Sequence, residues 1–340
     1  MCWTRPKDLL LSVAVVSLLA GACSSPTAAP AAEHAASAAH TPSAEHTPSV
    51  AHPPPAAPPE HAQQAEHAEH AQAESPPPAA AHHAAVEARA LDPAPPYNVG
   101  KSTPGEGFLM RLSQGFDDAT QYQSDYTMEV PWNGSGFWPF NIHYGPDGAS
   151  LIIQKRQMKS LAYAGAELQR KGFFGYGRFE AIVKAPVGSG LVSSFFTHTD
   201  GNFGDPHDEV DIEFLGRDTH SLHINYFKDG QPAGSYYAPV PFDTSRDFHL
   251  YAFEWAPDSI RWFVDGKLVH EVHGPAARVP RAAGRVIMNI WSAGPSSREW
   301  LGPRQFKNNA SVIYRCVSHV PLGKTGAQCS DDYKPPPLDH

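Results

Sequence analysis

The stretch HDEVDIEFLG, residues 207–216, decides the reading of this chain. It alternates Glu209, Asp211 and Glu213 with Val210, Ile212 and Phe214. In a β-strand this period of two sends the acids to one face of a sheet and the apolar side chains to the other. Carboxylates crowded on one face repel, and strand positions select against acids, so propensity does not account for the pattern. It needs a cation, a shared proton or a reaction. Three acids from one strand do not supply the six to eight oxygens that a calcium ion takes.

On a regular strand the α-carbons of Glu209 and Glu213 lie about 13 Å apart, and the side chains can lean toward each other. That brings the carboxyl groups near the separations used for glycosidic cleavage, roughly 5–5.5 Å with retention and 6.5–9.5 Å with inversion. The spacing leaves both outcomes open. Asp211, between them, raises the cost of ionising all three groups, so one glutamate can stay protonated as a general acid near neutral pH.

The flanking sequence has the same texture. FHLYAFEW (Phe248–Trp255) is followed by the turn APDS, then IRWFVD, Gly266 and KLVHEV, and Asp265-Gly266 signals a tight hairpin turn. RFEAIVKA (Arg178–Ala185), LVSSFFTHT (Leu191–Thr199), SLHINYF (Ser221–Phe227) and RVIMNIW (Arg285–Trp291) are further short strands. No long segment has helical periodicity. The expected fold from residue 97 to residue 340 is all-β, an antiparallel β-sandwich.

A polysaccharide needs aromatic surface against which sugar rings can stack. Phe196, Tyr226, Phe227, Trp291 and Trp300 are candidates, with Asn225 and Asn289 beside some of them. Each of these aromatics can equally be a core residue. Tyr226 and Phe227 cannot both face one cleft on a regular strand.

Outside that domain the sequence changes character. Residues 1–22 read as an export signal, in which Arg5 and Lys7 precede the apolar run LLLSVAVVSLLAGA. The string LLAGACSS resembles a bacterial lipoprotein signal, which implies acylation of Cys23 and an outer-membrane or cell-surface location. Cleavage after a small residue, giving a secreted or periplasmic protein, is the alternative. Residues 23–96 are rich in Ala, Pro, His and Glu, with almost no large apolar side chains, and are expected to form a disordered tether. Nine of the 19 histidines lie there. The signal removes Cys2 and a lipid would consume Cys23, so Cys316 and Cys329 remain as one expected disulfide. The net charge of −9 comes without a basic run and argues against nucleic acid as a partner. Any membrane contact is expected through the lipid alone. Nothing in the sequence requires more than a monomer.

Glu209-Val-Asp211-Ile-Glu213 followed by FLG resembles the catalytic strand of family-sixteen glycoside hydrolases, and of the bacterial lichenases (β-1,3-1,4-glucanases) within them. FFGYGRFEAIVKAP, GLVSSFFTHT, GRDTHSLHINYF, FHLYAFEWAPDSIRWFVDG, VIMNIW and EWLG resemble lichenase segments in the same order, over about Glu167 to Gly302. The resemblance implies a concave jelly-roll sandwich with a substrate cleft across one sheet, and a retaining double displacement. By position, Glu209 is then the nucleophile, Glu213 the acid/base and Asp211 the residue that tunes both. Glu167, Phe196, His207, Asn225, Tyr226, Asn289, Trp291 and Trp300 match positions that line sugar subsites.

Several positions depart from the lichenase pattern. His207 stands where tryptophan is usual, His198 where tyrosine is usual, and Leu168-Gln169 where Asn-Arg follows the glutamate. His207-Asp208-Glu209 also resembles plant xyloglucan endotransglycosylases and bacterial exopolysaccharide depolymerases of the same family. The lichenase calcium uses an aspartate in a C-terminal strand, and the matching ASVIYRCV has no acid, so no metal or other cofactor is expected. A non-catalytic glycan-binding protein on this fold would normally lack one of the two glutamates, and both are present.

Overall fold

The period-two pattern becomes strand almost wherever it occurs. The computed structural model describes residues 104–274 and 278–337. The expected signal peptide, Cys23 and the tether lie outside the described residues. The described strands are β1 (Phe108–Arg111), β2 (Gln121–Gln123), β3 (Ser135–Phe137), β4 (Ile142–Gly145), β5 (Gly148–Met158) and β6 (Leu161–Phe174). Next come β7 (Gly177–Lys184), β8 (Leu191–Thr199), β9 (Asp208–Leu215), β10 (Ser221–Lys228) and β11 (Gln231–Pro239). The series closes with β12 (His249–Ala256), β13 (Ser259–Val264), β14 (Lys267–His273), β15 (Gly284–Ser292) and β16 (Ala310–Pro321).

They form an antiparallel β-sandwich. One sheet runs β11-β10-β9-β8-β15-β6, the other runs β5-β16-β7-β12-β13-β14, and the β5–β6 hairpin joins them. The short β3 is the exception, pairing parallel with β6. At the opposite edge the rings of Tyr236 on β11 and His270 on β14 stack at 4.2 Å. The turn expected at Asp265-Gly266 is there: both residues have positive φ, 48° and 80°, as a two-residue hairpin of this hand requires.

The core fills the space between the sheets. Val210, Ile212 and Phe214 of β9 enter it, and Phe214 meets Tyr251 edge-on at 4.7 Å. Burying each such side chain contributes about 1.5–3 kcal/mol. Two hydrogen bonds cross the core and fix the acidic strand and its neighbour. Trp262 Nε1 donates to the Asp211 carbonyl at 3.1 Å, and the Tyr314 hydroxyl donates to the Ser194 carbonyl at 2.7 Å. Cys316 and Cys329 form the expected disulfide, with α-carbons 5.8 Å apart. It packs with Ile182 and Leu250 on the outward side of the second sheet.

Candidate active site

Strand register assembles the site. Opposite Glu209, Asp211 and Glu213 on β9 stand His198, Phe196 and Ser194 of β8, and Phe227, Asn225 and His223 of β10. Residues directly opposite across a ladder share a face, so all nine belong to the acidic side. The pattern continues outward. Arg285, Ile287 and Asn289 of β15 stand opposite His198, Phe196 and Ser194, and Gln169 and Glu167 of β6 stand opposite Ile287 and Asn289.

One expected subsite residue does not belong here. Tyr226 pairs with Val210, lies in the inter-sheet core and approaches Trp262 at 6.2 Å. Its neighbour Phe227 takes the cleft side, because adjacent residues on a strand point to opposite faces. Phe196 does share the acids' face and packs against Ile287.

Glu209 is buried and sits between two imidazoles. Its Oε2 lies 2.7 Å from His207 Nε2 and 3.2 Å from His198 Nδ1. Burial alone would raise its pKa, but the hydrogen bonds and charges of His198 and His207 outweigh burial and hold it at about 2. His198 responds in the opposite sense: burial lowers its pKa, while hydrogen bonds and charges from Asp200 and Glu209 raise it to about 9. The two form an ion pair at neutral pH.

Asp211 behaves differently. Burial, the charges of Glu209 and Glu213, and a hydrogen bond to Glu209 push its carboxyl well above the usual range. The middle carboxyl therefore holds its proton far more firmly than Glu209 does. Glu213 Oε2 shares a 2.5 Å hydrogen bond with His223 Nδ1, and His223 Nε2 shares one of 2.8 Å with Ser235 Oγ. Glu213 is thus linked through an imidazole to a hydroxyl.

Aromatic walls flank the acids. Past Glu213, Trp300 lies 5.6 Å from the His223 ring and 6.0 Å from Trp291, and Trp291 lies 5.3 Å from Trp132. Trp300 is held there by a short α-helix, α1 (Arg298–Leu301), which ends at Gly302. A β-carbon on Gly302 would lie 2.2 Å from Ser189 Oγ, and its φ is 81°. Past Glu209, the His207 ring stacks on Phe227 at 5.1 Å, and the Arg285 guanidinium lies over Phe203 at 4.9 Å.

Glu167 is fully buried, and its Oε1 accepts from Ser124 Oγ at 2.7 Å, Gln169 Nε2 at 2.8 Å and the Tyr126 hydroxyl at 3.0 Å. Burial raises its pKa despite those bonds. Asn289 Oδ1 and Trp291 Nε1 are buried without a hydrogen-bond partner among the described residues.

Sequence reading placed His207 among the subsite residues but missed its contact with Glu209, and it missed Ser235, Asp200, Trp132 and the roles of His198 and His223 beside the two glutamates. The parity of LVSSFFTHT and SLHINYF puts Ser194, Phe196 and His198, and likewise His223, Asn225 and Phe227, on common faces. Which face meets the acids depends on register. β16 carries no carboxylate, and Arg315 on it lies 3.7 Å over Phe248 and 3.4 Å from Asp147.

Two buried glutamates on one strand, with a third carboxyl between them and indole walls beside them, define a glycoside hydrolase built on a β-sandwich. The comparisons agree. Residues 137–308 match the model for glycosyl hydrolases family 16, and the chain belongs to that family. A β-glucanase of Acetivibrio thermocellus is 35% identical over 234 residues, which cover 68% of this chain and 67% of that one. A β-glucanase of Bacillus subtilis is 42% identical over 208 residues, covering 56% of this chain and 84% of the relative. Among solved structures, a prokaryotic β-1,3-1,4-glucanase (lichenase) from a mouse hindgut metagenome superposes with a TM-score of 0.60 at 34% identity, covering 64% of this chain and all of that one.

Proposed function

We propose that the protein is an endo-acting, retaining hydrolase of mixed-linkage β-1,3-1,4-glucan. The observation that carries this reading is the difference in state along β9: Glu209 is ionised between two histidines, and Asp211 beside it is protonated. The names of the related β-glucanases and the lichenase support the substrate class.

In the first step the Glu209 carboxylate attacks the anomeric carbon while Glu213 protonates the departing glycosidic oxygen. A glycosyl ester on Glu209 forms and the leaving chain departs with the proton. In the second step Glu213, now a carboxylate, takes a proton from water, and the hydroxide equivalent displaces Glu209. Configuration is retained because two inversions cancel. Protonated Asp211 lets the glutamates on either side carry charge in turn without three adjacent anions. Trp291, Trp300, Asn225, Asn289 and His207 hold the sugars, and Phe227 holds the His207 ring.

The enzyme acts outside the cytoplasm, tethered by a lipid on Cys23 through the His-rich segment. The apolar run before Cys23 and the Cys316–Cys329 disulfide support that placement.

Product analysis of the purified protein on mixed-linkage glucan, laminarin, xyloglucan and an acidic exopolysaccharide tests this function. Short oligosaccharides from mixed-linkage glucan, released with the β configuration, are expected. Cleavage of another polymer alone overturns the substrate. Longer products on addition of acceptor sugars make the enzyme a transglycosylase.

A further inference from the structure

We propose that His198, His207 and Glu209 form a binding site for a zinc-class divalent cation, and that filling it switches the enzyme off. The site stands on its own geometry, while the switch rests on reading Glu209 as the nucleophile.

Each of the three residues offers one ligand atom, and these atoms lie within 4.8 Å of one another. A tetrahedral zinc ion with bonds of about 2.0–2.1 Å spaces its ligands about 3.3 Å apart, so small side-chain rotations admit it. Two imidazoles and one carboxylate, with a fourth position open to water, are a zinc donor set. Imidazole nitrogen selects zinc, copper or nickel over calcium and magnesium.

The surroundings are built for the same purpose. His198 stands opposite Glu209 on the neighbouring strand, and Phe227 fixes the His207 ring by stacking. On the far side of His198, its Nε2 faces Asp200 Oδ2 at 3.6 Å. A histidine that ligates a metal through one nitrogen commonly presents the other to a carboxylate, which fixes its orientation. His198 and Glu209 are each 1% exposed in their side chains, whereas His207 is 17% exposed and marks the way in.

Coordination takes the lone pairs of His198 Nδ1, His207 Nε2 and a Glu209 oxygen, and releases the imidazole protons to solvent. The Glu209 lone pair is the one that must attack the anomeric carbon. An ion and a glycosyl group therefore exclude each other.

Nine further histidines lie within residues 24–96, so the readouts must report this site. The full-length, metal-stripped protein is titrated with Zn2+ while glucan hydrolysis is followed, and with Co2+ while its visible d–d band is followed. His207→Gln, His198→Gln and Asp200→Asn are compared, each against its own ion-free rate and its own thermal melt. Zn2+ is expected to suppress hydrolysis and a chelator to restore it. The half-inhibiting concentration should rise about 10–100-fold in Asp200→Asn, and at least as far in the two histidine variants, which lose a direct ligand.

If buried His198→Gln does not fold, His207→Gln at the rim carries the comparison. If a variant is too slow to assay, loss of the Co2+ band decides. Equal inhibition of wild type and His207→Gln overturns the site, as does a Co2+ band unchanged by the substitutions or no response to either ion. A Glu209→Gln protein that still cleaves glucan overturns the nucleophile and the switch, and leaves the ion site to be judged by the band.

Discussion

The two faces of β9 are made from the same eight residues and do opposite work. Val210, Ile212 and Phe214 point into the space between the sheets and are covered by aromatic and aliphatic side chains. Glu209, Asp211 and Glu213 are just as buried, yet the two glutamates are held by imidazoles. The apolar face contributes free energy roughly in proportion to area and asks only for shape. The acidic face carries charge into a region of low dielectric, where it is stable only when every group has a specific partner. Stability and chemistry are thus separated by one residue along the chain.

The largest test of that separation is on the acidic face. Glu213→Gln should lower glucan hydrolysis by about 10²–10⁴-fold, the usual range for losing a general acid/base. Glu209→Gln should lower it further, because no glycosyl ester can form. Both variants should keep a cooperative melt near that of the wild type. Loss of the fold together with activity would mean that the acids hold the sandwich together.

On the other face the expectation reverses. Phe214→Ala should cost about 3–5 kcal/mol in denaturant unfolding, as large-to-small core changes do. Cleavage per folded molecule should stay close to wild type. If kcat falls in the folded fraction as well, the core and the site are coupled through β9.

A smaller effect is expected far from both faces. Reducing the Cys316–Cys329 disulfide, whose half-cystines are 13 residues apart, should cost about 3 kcal/mol of stability by loop-closure entropy. Activity at low temperature should persist, because the bridge packs on the outward side of the second sheet.

The smallest effect is in the pH dependence of two buried histidines. His198 is raised to about 9 in the folded protein, so its stabilisation is complete below about 6.5 and is lost as pH rises through 9. His319 stacks on Phe179 at 4.2 Å, and burial outweighs its bonds to the Gly175 and Tyr176 carbonyls to hold it at about 4. Its stabilisation is present above about 6.5 and is lost as pH falls through 4. Melting temperatures measured across pH with chelator present should therefore fall at both ends. His198→Gln should flatten the alkaline limb, and His319→Gln the acid limb. An alkaline limb unchanged in His198→Gln would contradict the ion pair with Glu209.

Much of this was legible in the sequence, because strand periodicity and turn chemistry are local. Alternation in residues 207–216 set the acids on one face, Asp265-Gly266 set a hairpin, and cysteine count set the disulfide. The ordered series of motifs between Glu167 and Gly302 pointed to the family. Subsite residues were less legible: the motif places Tyr226 and Phe227 side by side, and only pairing with β9 sends Tyr226 to the core and Phe227 to the cleft. The histidines at positions 198 and 207 read as departures from a pattern, and His223 only as part of a strand. Their contacts with Glu209 and Glu213 need register between β8, β9 and β10, which is fixed by pairing between residues up to 23 apart in sequence and by the sheet packed behind them. A side chain's parity belongs to its own strand, whereas its partner belongs to the next one. The sequence by itself therefore determined which residues could do the chemistry, and the tertiary structure decided which carboxyl is ionised, because proton affinity follows from neighbours that only folding brings together.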